Sequence, residues 1–126
     1  MSPSETVTNF IQAIERRDVA AAVLMLAEDV SYENVPMQPI KGRDAVNQAL
    51  QGFIGIASEV DWPVSSQLES GNRVANERLD RFKLEAGWLE MPVAGFFEID
   101  DDGLISLWRD YFDLATYTDQ RKKLMS

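Results

Sequence analysis

The stretch VANERLDRF, residues 74–82, sets an arginine and an aspartate two positions apart, with apolar residues on either side. Side chains alternate across a β-strand, so Val74, Asn76, Arg78, Asp80 and Phe82 share one face. Two other stretches repeat the habit. Val30, Tyr32 and Asn34 share a face in VSYENV, and Ser106, Trp108, Asp110 and Phe112 share one in LISLWRDYF. Brought together, these faces would set two carboxylates, a guanidinium, a phenol and an amide in apolar surroundings. Such a set can hold a water and move protons by general acid–base chemistry. The chain has no histidine and no cysteine. That excludes Ser-His-Asp and thiolate catalysis, as well as imidazole and thiolate metal sites.

The opposite register must be weighed for each strand. Turning Arg78 and Asp80 to solvent would bury Glu77, Arg81 and Lys83 around Leu79 alone, three charges against one apolar residue. The inward register is the better one. For Asp110 the other face carries Leu107, Arg109, Tyr111 and Asp113, a closer contest. A buried Asp–Arg pair is also a common structural device with no catalytic role. Taken singly, Tyr32 reads as a core tyrosine and Asn34 as a strand-end cap before Pro36.

At 126 residues and 45% hydrophobic, the chain fits one domain with a real core, expected over 1–126. Its formal charge of −9 argues against nucleic acid and anionic membranes as partners. No apolar run approaches a membrane span, and the start, MSPSETVTNF, lacks the regions of a signal peptide. A cytoplasmic protein is expected.

The elements that must position the polar faces read as follows. SPSETVTNFIQAIERRD suits a helix capped by Ser4, and DVAAAVLMLAEDV a second one capped by Asp18 that buries Ala21, Leu24, Met25 and Leu26. VSYENV is a short strand stopped by the prolines of PMQP, and KGRDAVNQALQGFIGI a helix entered through Gly42. Four strand-like runs follow, at 60–68, 73–84, 88–99 and 104–112, then a closing helical segment, LATYTDQRKKLM. Helices first and consecutive strands later predict an α+β fold, with three to four helices packed on one face of a curved sheet around an apolar pocket.

The segments YENVPMQPIKGRDAV, ERLD and WRDYFD together resemble the limonene-1,2-epoxide hydrolase family, within the NTF2-like and SnoaL-like group. The resemblance runs over about residues 6–117. LAEDVSYEN followed by GRDAV belongs to the whole group; the combination of Tyr-x-Asn, Arg-x-Asp and WRDYFD is specific to the family. It implies an NTF2-like cone with a curved, mixed or antiparallel sheet, no cofactor, no metal, and a homodimer formed through the outer sheet face. It implies hydration of a small apolar epoxide, terpene-like, alkyl or aryl, by direct attack of water. In the roles it carries over, Asp110 is the base on a water also held by Tyr32 and Asn34. Asp80 is the acid at the epoxide oxygen, and Arg78 holds both carboxylates.

Candidates for an apolar pocket wall are Ile11, Ile14, Leu50, Phe53, Ile54, Phe82, Met91, Val93 and Trp108, each of which also reads as ordinary core. The turns LEAGWLEMP and DDDG differ in length from the family pattern and leave the substrate open. Two other readings stand beside this one: an isomerase, dehydratase or cyclase on the same fold, and a non-catalytic binding module. Neither requires an arginine between two aspartates.

Overall fold

The apolar stripe of Val7, Phe10, Ile11 and Ile14 winds Pro3–Glu15 into helix α1, which turns that face into the core. In this computed structural model, which describes residues 1–125, α1 is capped by Ser2 rather than Ser4. Ser2 and Glu5 form a reciprocal capping box, and Pro3 stands in the first turn, where its missing N–H costs nothing. The last residue of the expected 1–126 domain, Ser126, lies outside the described residues.

Helix α2 is short, Val19–Val23, with Asp18 as its cap. The expected longer helix is replaced by strand β1, Leu26–Val35. Leu26 is fully buried and pairs with Ile105, whereas Leu24 is 73% exposed. Pairing with the sheet here overrides the helix propensity of AAAVLML. β1 is followed by β2, Ile40–Lys41, a two-residue strand that alternation had not indicated, and by α3, Arg43–Gly55. Gly42 caps α3 at a φ of 90°, a conformation open to glycine, and donates its N–H to the Val30 carbonyl.

The run at 60–68 is two strands, β3 (Glu59–Asp61) and β4 (Val64–Ser70), parted at Trp62 and Pro63. β5 (Arg73–Leu84), β6 (Gly87–Ile99) and β7 (Ile105–Phe112) agree closely with the expected runs, and α4 covers Leu114–Met125. The sheet order is β2-β1-β7-β6-β5-β3, with β4 also on β5. All pairs are antiparallel except β1 with β7, so the sheet is mixed. α1, α2 and α3 enclose the core against the inner face of the sheet, centred on Phe10, Phe97 and Trp108. Among the described residues no helix is long and apolar enough to cross a membrane.

Candidate active site

The alternation of β5 is kept along its whole length: Val74, Asn76, Arg78, Asp80 and Phe82 are all buried, with more exposed residues between them. Pairing with β6 and β7 then decides what these side chains meet. Asn76, Gly95, Asp110 and Asn34 lie in one row across β5, β6, β7 and β1. Arg78 stands in the next row beside Val93, and Asp80 in the row beyond, beside Met91. The arginine thus lies between the two aspartates and reaches both.

Its bonds are specific. Arg78 Nε and Nη2 donate to the two carboxylate oxygens of Asp80, each at 2.9 Å, in the bidentate fork that a planar guanidinium allows. Nη2 also donates to Asp110 Oδ2 at 2.9 Å, and Nη1 to Asn76 Oδ1 at 3.0 Å. The Trp62 ring lies 5.1 Å from the guanidinium carbon. The Arg78 side chain is wholly buried, and those of Asp80 and Asp110 are 5% exposed.

Burial pushes the Asp80 carboxyl up to about 6; Arg78 pulls against this, and the charges of Asp110 and Glu15 add to the rise. Burial likewise raises Asp110, with Arg78 opposing. Asp110 Oδ1 and the Trp108 indole nitrogen are buried without a well-formed hydrogen bond, yet the indole N–H lies near enough to favour the ionised Asp110. Burial opposes charge on Arg78, but Asp110 and Asp80 outweigh it and hold the guanidinium firmly protonated. Burial and then Asp110 raise the Tyr32 hydroxyl, with the Asn34 side chain acting the other way, so Tyr32 stays a donor.

These groups open onto a cavity of about 160 Å³ lined by Tyr32, Asn34, Asp80 and Asp110 among apolar residues. Of the wall candidates, Phe53, Phe82, Met91 and Val93 line it. Ile11, Ile14, Leu50, Ile54 and Trp108 do not. They lie in the core, at most 3% exposed, where helix side chains fill the layer against the sheet. Trp108 instead supports the cavity from beneath by stacking on Tyr32, centroids 3.8 Å apart.

The cavity is completed by Met37, Ile56, Trp62, Leu84, Leu89, Phe112, Tyr117 and Arg121, none of them among the wall candidates. Leu89 and Phe112 continue the inward alternation of β6 and β7 and were open to the same reading. Tyr117 and Arg121 are one turn apart on α4, with Arg121 Nη1 donating to the Tyr117 hydroxyl at 3.1 Å. Met37, Ile56 and Trp62 sit in connections, where no periodicity tells which way a side chain points.

The same fold occurs in an NTF2-like protein of unknown function from Burkholderia pseudomallei, at a TM-score of 0.82 and 19% identity over the whole of both chains. Fold and site together define an NTF2-like cone with a buried Asp–Arg–Asp array in its pocket. A sequence model of the limonene-1,2-epoxide hydrolase catalytic domain matches residues 1–123. Epoxide hydrolase EphG of Mycobacterium tuberculosis is 33% identical over 111 residues, covering 86% of this chain and 71% of that protein. A solved M. tuberculosis LEH-like epoxide hydrolase superimposes with a TM-score of 0.85 at 28% identity, over 98% of this chain and 91% of the other. The chain belongs to the limonene-1,2-epoxide hydrolase family.

Proposed function

We propose that this protein hydrates a small apolar epoxide, terpene-like, alkyl or aryl, to a vicinal diol in one step, with no covalent enzyme ester. The observation that carries the proposal is the Arg78 fork joining Asp80 to Asp110 at the wall of an apolar cavity that also presents Tyr32 and Asn34. Membership of the family supports an epoxide and water as reactants.

An epoxide is strained, but its leaving group is an alkoxide, so opening near neutrality needs a proton at oxygen and a nucleophile at carbon. A water held by Tyr32, Asn34 and Asp110 attacks the ring carbon as the C–O bond breaks. Asp110 takes the water's proton, and Asp80 gives its own to the departing oxygen. Asp110 ends protonated and Asp80 ionised, and exchange with solvent restores the starting state. The raised position of Asp80, at about 6, leaves a useful fraction protonated near neutrality. Arg78 keeps the second carboxylate ionised beside it. An apolar cavity of about 150 Å³ in another protein accepts benzene, so the volume here suits one compact ligand.

Hydration of a panel of epoxides in ¹⁸O-labelled water tests both the activity and the route. In a single turnover, direct attack puts label into the diol, whereas an aspartyl ester delivers unlabelled carboxylate oxygen first. Unlabelled diol on the first turnover would overturn the one-step route, and no diol from any epoxide would overturn the activity.

A further inference from the structure

We propose that Gly95 and Asn76 are positioning residues for Arg78, Gly95 by leaving a notch in β6 for the guanidinium and Asn76 by orienting Nη1. The cross-strand neighbour of Arg78 on β6 is Val93, and beyond it on β7 lies Phe112, yet its guanidinium bonds Asp110, which pairs with Gly95. The side chain therefore runs diagonally over β6 and crosses it at Gly95. A Cβ built at Gly95 would overlap Arg78 Nη1 and come within 2.9 Å of Asn76 Oδ1 and Asp110 Oδ1.

No backbone need explains this glycine. Its φ is not positive, unlike those of Gly42, Gly71, Gly87 and Gly103. A glycine inside a strand weakens it and commonly marks a close approach by another group. Its inward neighbours Val93 and Phe97 are buried side chains, so Gly95 is a single gap in a filled row, and Arg78 occupies it.

Asn76, the cross-strand partner of Gly95, fixes the same end of the guanidinium. Its Oδ1 accepts from Nη1, while its Nδ2 donates to Gln67 Oε1 at 3.1 Å. Gln67 Nε2 in turn donates to the Ser4 carbonyl, which can only accept, at 3.2 Å, and to Ser4 Oγ at 2.7 Å and Thr8 Oγ1 at 3.1 Å on α1. This relay determines which end of the Asn76 amide meets Arg78; the reverse orientation would set N–H against N–H. Both residues act through Arg78 rather than on a substrate.

The kinetic part of the test rests on the epoxide-hydrolase reading; the structural part does not. The three atoms a new methyl would crowd, Arg78 Nη1 most of all and then Asn76 Oδ1 and Asp110 Oδ1, are all ends of side chains, so Gly95→Ala keeps the strand and moves the guanidinium. A crystal structure of Gly95→Ala should show the Arg78–Asp110 bond broken; its survival overturns the role of Gly95, whatever the substrate. With an epoxide that the wild type hydrates, Gly95→Ala should lower kcat by about 100-fold with KM within about threefold. In an Arg78→Lys background, which lacks the fork, the same change should cost less than about threefold, and a full independent penalty there overturns the proposal.

Asn76→Leu, of similar size but without an acceptor, should lower kcat by about tenfold or more. Asn76→Asp should recover most of that loss while moving the alkaline limb of the pH–rate profile upward, because a third carboxylate favours the protonated acid. Asn76→Leu at the wild-type rate, or no recovery in Asn76→Asp, overturns the role of Asn76.

Discussion

A guanidinium offers five N–H groups in one rigid plane, and Arg78 directs them to three different side chains, Asp80, Asp110 and Asn76. A lysine at this position would supply the charge without the fork. Arg78→Lys should therefore reduce kcat on the order of 100-fold even where the fold is intact. Asp80→Asn and Asp110→Asn should each lower kcat by roughly 10²- to 10⁴-fold, with circular dichroism unchanged. If either variant hydrates epoxides at near the wild-type rate, the roles assigned to the pair are wrong. The pH–rate profile should be a bell whose limbs belong to the coupled pair rather than to one residue. Arg78 and Asp80 were legible from alternation, because period two is a local property of the strand; Asp110, Tyr32 and Asn34 were picked out by alternation together with the family resemblance. Trp62, beneath the guanidinium, was not, since it sits at the break between β3 and β4 where the period lapses.

The elements hold these residues by unequal means. β5 is locked on both sides, by β6 along its length and by β3 and β4 on the other edge. α4 buries no residue fully and is held on β6 by Gln120, which donates to the Glu90 carbonyl at 2.7 Å and accepts from the Glu90 N–H at 2.8 Å. α1 depends on its first turn. Ser2→Ala removes both a cap and half of the capping box, and should cost about 1 kcal/mol in urea denaturation. No measurable loss would show that the cap at Ser2 contributes nothing. The error in placing this cap at Ser4 has a clear physical source. Ser2 and Ser4 flank the same proline, and only the structure shows that Ser4 instead bonds the Gln67 amide on β4. The overlong second helix has another: helix propensity is local, while the pairing of Leu26 with Ile105 spans most of the chain.

At the scale of the whole molecule, the buried acids tie stability to pH. Asp80 has a folded pKa of about 6 against an ordinary 3.8, so between these values the folded state binds more protons than the unfolded one. Its contribution is complete below about pH 4 and is lost as pH rises through about 6. Asp110 shifts in the same direction. Glu5, Glu33 and Asp113 are lowered and work the opposite way, at lower pH. Comparison with Asp80→Asn separates the two effects. The variant should gain stability relative to the wild type from pH 4 to pH 7, measured by urea midpoints, and parallel curves would refute the linkage. The outer sheet face carries Phe96, 37% exposed, and Tyr111, 43% exposed, edge to face at 5.7 Å. A homodimer through this face is the expectation that the family resemblance carries. Phe96→Glu should yield a monomer in sedimentation, and a wild type already monomeric at micromolar concentration would rule the dimer out.

The sequence by itself determined which residues of each strand share a face, that Arg78 and Asp80 turn inward, and that helices pack on a curved sheet in an α+β fold, because these follow from local periodicity and residue chemistry. The tertiary structure decided that Arg78 lies between Asp80 and Asp110. It also decided that Gly95 leaves room for the guanidinium and that Ile11, Ile14, Leu50, Ile54 and Trp108 fill the core rather than line the cavity. These facts depend on the register of β5, β6, β7 and β1 and on where the helices meet the sheet. They are relations between distant segments that no window of sequence contains.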